Sequence, residues 1–569
     1  INVTTTESQS VSVKSKYKVY LTFDDGPSIH TAEILDVLKK NDVKATFFVV
    51  YTPNESLWPL YKRIVDEGHT LAMHSYTHKY DDIYASQEAF EEDVTKIHDF
   101  LLEQTGVDCK YYRFPGGSSN SVSSVDIQGL KGYLYEDGIT YYDDDATKVT
   151  LSLYSKNNNN QISQNVFVLG DFNNWSYSTE YQMKKDGETG YFWLDITGLE
   201  PGKEYVFQYA IKRPDGSMIQ ISDAYTHKTV DPNDHYISED IYPNQLVYPA
   251  AADGPCAVIQ TARKEFAWSD ATLNFKRPNK NNLVIYEMWV YDFSPLRSFD
   301  AITKRLDYIE NLGVNAIEFM PISEFEGNIS WGYNPTHYFA LDKAYGTPES
   351  FKTLVDECHK RGIAVIIDMV FNHATGWAAQ NKMFPLAQNP YFNVTPPHGD
   401  NVFEDWNHDF EGTRNYFHRV LKYWLEEYKI DGYRMDLAHG LCGKSCDNYG
   451  NQHILEDYYA NSVKAVSEDA YFILEHWNRW GEQAALINKG MMCWENSSHA
   501  YYELAMGWYN GSNSSALHAA NKDNYVSYAE SHDEERCQYK AIQYGNGAIK
   551  TDKAIFPGNQ GGPLMHVIA

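Results

Sequence analysis

No apolar run in this chain approaches the roughly 18 residues that a membrane-spanning helix needs. The amino-terminal INVTTTESQS has no charged-then-apolar signal pattern either, so the chain reads as soluble and without a membrane partner. Cysteine is scarce and odd in number, seven in 569 residues, which argues against a disulfide framework and for buried thiols. Cys442 and Cys446 form C-x-x-x-C in a glycine-rich loop, where a metal would need two further ligands at matching spacing. Positive charge is short: 48 Lys+Arg face 77 Asp+Glu, a net charge of −29. That balance repels nucleic acid and anionic membranes and suits a neutral substrate. Aromatics are plentiful, with 45 Tyr and 13 Trp, and serve either core and turn packing or sugar stacking.

The length predicts about three domains, and the texture divides accordingly. Residues 1–143 alternate strand and helix signals (VKATFFVV, LWPLYKRIVDEG, EAFEEDVTKIHDFLLEQ) and read as α/β. Residues 144–275 carry short alternating strands (VTLSLYS, VFVLG, YFWLDI, YVFQYAIK) between turn-rich links, the pattern of an all-β sandwich. In residues 276–569 the β/α alternation returns, with seven strands placed and an eighth in doubt. Four runs there, AVIIDMVFNH, DGYRMD, AYFILEHW and NYVSYAESHD, are apolar stretches of strand length that end in acid. A (β/α)₈ barrel presents catalytic side chains in this way, at the carboxyl ends of its strands.

Cleaving a glycosidic bond through a covalent intermediate needs one ionised carboxylate as nucleophile and one protonated carboxyl as acid, about 5 Å apart. Asp436 and Glu475 suit those roles. Arg434, two residues before Asp436 and on the same face of its strand, is placed to hold Asp436 ionised. Trp477 beside Glu475 is placed to desolvate it and keep it protonated. Asp533, next to His532, can bind sugar hydroxyls, and Asp368 and His373 bracket DMVFNH. In this order the motifs resemble family 13 of the glycoside hydrolases, the α-amylase family. The resemblance implies Asp436 as nucleophile, Glu475 as acid/base and Asp533 as transition-state stabiliser, with Arg434, His373 and His532 lining the sugar subsite and Tyr333 as the ring beneath it. It also implies a calcium ligand at Asn372, with a hydrogen-bonding role as the alternative. Hydrolysis, transfer and branching stay open. His439 stands where many members have lysine, and the excursion after the third strand (WAAQNKMF through DFEG) suggests a modest lid.

NVFVLGDFNNW resembles the immunoglobulin-like domain that precedes the barrel in α-glucan branching and debranching enzymes. Trp175 either stacks on glucan or plugs the sandwich; an exposed second aromatic beside it would favour the glucan. In the first segment TFDDGP, HSYTH and RFPGG resemble the polysaccharide deacetylase family. That resemblance implies a zinc-like divalent cation on Asp25, His74 and His78, with Asp24 as general base held by Arg113. The family's later strands and its Leu-x-His acid do not follow GITYYD, so a partial barrel with weak metal binding and slow turnover is expected. The change of texture at Asp143 to Asp145 reads as a join between unrelated sequences. Few residues follow Asp533, and a barrel truncated at its carboxyl end is expected to expose strand edges and aggregate. The leading expectation is a retaining α-glucan hydrolase. A branching or transglycosylating enzyme, an N-deacetylase and an inactive carbohydrate-binding chimera are the alternatives, with an extracellular or envelope location favoured.

Overall fold

The computed structural model describes residues 21–116, 137–187, 189–399, 402–446, 450–477, 480–508 and 524–547. INVTTTESQS and the terminal FPGNQGGPLMHVIA lie outside them. Two compact units divide the chain, Ile1–Leu134 and Tyr135–Ala569.

In the first unit β1 (Thr22–Gly26), β2 (Thr46–Val50) and β3 (Thr70–Ser75) form a parallel sheet in that order. Helices Thr31–Lys40 and Pro59–Asp66 make the crossovers, as parallel pairing requires. Leu35, Phe47, Val49, Tyr61, Ile64, Ile97 and Leu101 form the shared core.

The second unit opens with the sandwich. Its strands are β4 (Gly138–Tyr141), β5 (Lys148–Tyr154), β6 (Asn165–Gly170), β7 (Lys184–Lys185) and β8 (Tyr191–Thr197). They are followed by β9 (Glu204–Lys212), β10 (Met218–Ile221), β11 (Thr229–Val230) and β12 (Cys256–Gln260). One sheet runs β4-β5-β8-β7; in the other, β9 pairs with β6, β10 and β12. The four alternating runs named from sequence become β5, β6, β8 and β9.

The first sequence-based boundary moves. GITY, assigned to the first segment, is β4, paired antiparallel to β5, so the first unit ends at Leu134 rather than residue 143. A four-residue strand carries too little pattern to announce its partner. Close to the far boundary at 275, Ser269 and Thr272 donate to Asp356 on the barrel helix Pro348–Lys360.

The barrel sheet contains β13 (Ile285–Met288) and β14 (Ala316–Phe319), after which β15 (Ser323–Phe325) and β16 (Pro335–Leu341) form a side hairpin. It continues with β17 (Ala364–Met369), while β18 (His373–Ala374) and β19 (Glu404–Asp405) pair apart. It ends with β20 (Gly432–Met435), β21 (Tyr471–Leu474), β22 (Met492–Asn496) and β23 (Tyr525–Tyr528). The order is β13-β14-β17-β20-β21-β22-β23, all parallel. Among the described residues seven strands make this sheet. A cavity of about 410 Å³ lies between its two end strands, lined by Ile285, Glu287, Glu318, Trp494, Tyr525 and Tyr528. Gly432 is dictated by crowding, since a Cβ there would sit 2.3 Å from the Tyr471 carbonyl oxygen.

The excursion after the third barrel strand is not simply a lid. Ala379, Met383 and Phe384 are buried in the sandwich core, and Arg213 donates to the Met383 and Lys382 carbonyls at 2.8 and 2.6 Å. Lys343, 4% exposed, fastens the same junction. Its ammonium bonds Glu324 on β15 at 2.5 Å and Thr229 on β11 at 2.7 Å, with Asp234 at 3.4 Å. Removing one partner of a buried ion network strands the others. Lys343→Met should therefore lower the unfolding free energy by about 3–5 kcal/mol in urea titration; a loss under about 1 kcal/mol would mean that the network behaves like a surface pair.

Candidate active site

Strand alternation builds the barrel site. Tyr433 and Met435 of β20, Ile367 and Met369 of β17, and Phe472 and Leu474 of β21 belong to the large core cluster that also holds helix residues Leu354 and Trp424. The alternate residues, Ile366, Ile473, Met492 and Trp494, form a separate inner cluster. Glu287, Glu318, Asp368 and Arg434 stand at inner-face positions of their strands. Register pairs Glu287 with Glu318 and Asp368 with Arg434.

Arg434, fully buried, is the hub. Nη1 donates to Asp368 Oδ2 and to Asp436 Oδ1, each at 2.8 Å, and Nη2 donates to Glu475 Oε2 at 2.9 Å. The Trp494 ring lies 4.2 Å from the guanidinium carbon. The Glu475 carboxyl also accepts from the Leu437 amide (2.7 Å) and the Trp477 indole (3.1 Å). Trp477 thus meets Glu475 as a hydrogen-bond donor, where the sequence suggested an apolar neighbour. Leu437 holds a left-handed φ of 42°, a strain of about 1–3 kcal/mol that a functional turn tolerates. Tyr333 donates to Asp368 at 2.7 Å and stacks on His532 at 5.0 Å. His373 Nε2 bonds the Tyr333 carbonyl at 2.7 Å. Asp436, Glu475, Asp368, Arg434, Tyr333, His373 and His532 are therefore brought together by direct or shared contacts.

One guanidinium cannot neutralise three carboxylates. Burial pushes Asp436 well above the usual carboxylate range, Arg434 opposes it, and Glu475 and Asp368 add repulsion. Burial also raises Asp368 to about 6 against the pull of Arg434. The cluster thus favours keeping a proton, whereas the sequence reading had Arg434 leaving Asp436 simply ionised. Burial drops His373 to about 4, leaving a neutral ring.

Asp533 stands apart from the hub: its side chain is 55% exposed and lies 3.4 Å from His532 Nε2. His439 is buried with its ring 6.0 Å from that of His476. Asn372 Oδ1 is buried without a hydrogen-bond partner among the described residues; it would be one oxygen of the six to eight that a calcium ion takes. All seven cysteines are buried free thiols.

In the first unit Asp25, His74 and His78 place one ligand atom each within 4.8 Å of one another, the one such group of His, Cys, Asp or Glu among the described residues. Both Nε2 atoms face Asp25 Oδ1, at 3.2 Å (His74) and 3.1 Å (His78). His74 Nδ1 is bonded to the Arg113 carbonyl at 2.6 Å, which directs Nε2 to the cluster. Asp25 and His78 hold left-handed φ values of 63° and 51°, local strain of the kind that collects at ligand clamps. Arg113 Nη1 donates to Asp24 at 2.6 Å.

Residues 274–413 match the α-amylase catalytic domain. Over these residues the chain is similar to an α-amylase-type catalytic domain. Ahead of it, residues 138–226 match carbohydrate-binding module 48, the isoamylase N-terminal domain, and residues 12–133 match polysaccharide deacetylase. A malto-oligosyltrehalose trehalohydrolase of Saccharolobus solfataricus is 31% identical over 280 residues, 49% of this chain and 42% of that protein. A 1,4-α-glucan branching enzyme of Paramagnetospirillum magneticum is 30% identical over 308 residues, 52% of this chain and 38% of that protein. The chain thus spans about two fifths of the length of these curated relatives. The pullulanase of Anoxybacillus sp. LM18-11, solved with maltotriose, shares the fold at a TM-score of 0.55 and 17% identity, covering 76% of this chain and 64% of that one.

Around the amylase-type domain, the matched sandwich holds Trp175 half-buried against Val206, Val230, Cys256 and Val258, with its indole donating to Asp171 at 3.0 Å. Trp175 therefore contributes to packing, while Tyr177 nearby is 56% exposed. Three contributors escaped the sequence reading. Glu287 and Glu318 sit inside apolar runs, IYEM and AIEF, where a single acid at an alternating position was the available signal. Asp93, buried in helix Gln87–Thr105, accepts from Ser75, Tyr76 and Thr77 and pins the HSYTH turn.

Proposed function

We propose that the amylase-type domain is a retaining glycoside hydrolase acting on α-glucans such as starch, glycogen or maltooligosaccharides. Asp436 attacks the anomeric carbon while Glu475 gives its proton to the leaving oxygen; water then cleaves the glycosyl-enzyme as Glu475 takes a proton back. One observation carries this reading: a single buried guanidinium holds both carboxyls, so a cluster that favours one proton contains both the acid and the nucleophile. Tyr333 would lie under the sugar, with His373, His532 and Asp533 on its hydroxyls. Transfer to a glucan hydroxyl uses the same intermediate, and the relatives' names cover both outcomes. Product profiles on starch, glycogen and pullulan separate hydrolysis from branching. A first product of inverted configuration would reject the nucleophile.

A second reading belongs to the first unit and rests on Asp25, His74 and His78. Their geometry suits a divalent cation of the zinc type, which would supply a bound water of lowered pKa for removing acetyl groups. Asp24, held by Arg113, is positioned as base, and Asp93 keeps His78 in place through Ser75 and Thr77. His74→Ala should weaken zinc binding by the full chain at least about 100-fold in titration calorimetry. Unchanged affinity would remove His74 from the site, and acetate release insensitive to chelator would end the reading.

A further inference from the structure

Among the acidic residues of the inner layer that have no part in the chemistry above, Glu287 makes the contact that says most. Glu287 projects from β13 next to Glu318 in register, and its Oε1 lies 2.7 Å from His532 Nδ1. The opposite nitrogen, Nε2, lies 3.4 Å from Asp533 Oδ1. The ring is clamped between Tyr333, stacked at 5.0 Å and 19°, and Trp331, edge-on at 5.6 Å. We propose that Glu287 is a positioning residue of the sugar site: by holding Nδ1–H it fixes His532 as a donor through both nitrogens, with Nε2–H turned toward Asp533 and the substrate. The inference rests on the α-glucan reading of this site.

The hydrogen bond at one imidazole nitrogen sets what the other can do. Without an acceptor on Nδ1, a neutral ring can carry its proton there and present a bare lone pair on Nε2 to the Asp533 carboxylate and to sugar oxygens. The groups facing His532 favour the charged ring. Burial works against it, but the Glu287 hydrogen bond and charge, with Asp533 on its own loop and Asp368 on β17, raise His532 above its ordinary value. Arg434 on β20 and the neutral His373 on β18 both bear on Tyr333, the ring stacked on His532. Glu318 bears on Glu287 from β14: burial first, then repulsion from Glu287, pushes Glu318 well up, so Glu318 favours the neutral form.

Glu287→Gln keeps shape and an acceptor oxygen but removes the charge. With histidine carrying ¹³C at Cε1, the His532 resonance, identified by its loss in His532→Gln, should titrate above about 6.5 in the unaltered chain and about one unit or more lower in Glu287→Gln. kcat/KM on maltooligosaccharide should fall roughly 10- to 100-fold. An ordinary midpoint in the unaltered chain, or the same midpoint in both proteins, overturns the proposal. The resonance is read without turnover, so a chain inactive on every α-glucan would sink the function and still decide the role of Glu287.

Discussion

Asp436→Asn is expected to lower kcat on maltooligosaccharides about ten-thousandfold or more with the fold intact. The amide keeps the size of the carboxyl and can still accept from Arg434 through its carbonyl oxygen, so packing at the hub is preserved. What disappears is the proposed nucleophile, and with it the covalent intermediate of the proposed mechanism. The fall should be in kcat, because the lost bond exists only along the reaction coordinate. Reducing-end release at high protein concentration checks it; activity within tenfold of the unaltered chain would reassign the nucleophile. In the unaltered chain the acid limb of the rate profile has a defined sign. As pH falls, Asp436, whose carboxyl burial pushes well up, takes up a proton and the rate drops.

Arg434→Met is expected to damage stability and chemistry together. Methionine fills much of the volume, but Asp368, Asp436 and Glu475 then face one another with no buried cation. Loss of one partner from a buried ion cluster costs about 3–5 kcal/mol. The pH dependence gives the cleaner signature. Asp368 is already raised to about 6 in the folded chain, so the native state binds more protons than the unfolded one between about pH 4 and 6, and stability declines as pH rises through that window. Removing the cation that opposes this shift should extend the decline upward. Arg434→Met should therefore be more stable at pH 5 than at pH 8 by a wider margin than the unaltered chain, in urea titrations at both values. Equal margins would mean that the carboxylates are solvated or paired elsewhere.

Much of the hub could be read from residues alone because a barrel strand with both faces buried is a short apolar run, and acids at its end have few structural reasons to be there. DGYRMD even encodes its geometry: Arg434 shares a face with Asp436, and Gly432 admits the neighbouring strand. Asp25, His74 and His78 were legible for a similar reason, since two histidines close in sequence need only one more ligand. What stayed hidden depends on contacts between distant segments. Glu287 meets His532 across 245 positions, and no local periodicity records that encounter. The placement of GITY depended on which sheet had a free edge. Met383 and Phe384 looked like loop residues because the core they enter belongs to the sandwich. Asp533 illustrates the reverse, a motif residue that the structure leaves exposed beside His532, outside the hydrogen bonds of Arg434.

The apolar side chains that the barrel excursion sends into the sandwich bear on how such a protein can be rearranged by design. A glycan-binding module joined through a flexible tether can be traded between enzymes as a cassette. Here the barrel lends Ala379, Met383 and Phe384 to its neighbour's interior, so a transplanted sandwich would arrive with a hole in its core and the donor barrel would be left with a greasy finger in water. Sandwich and barrel excursion share one core and have to be moved together.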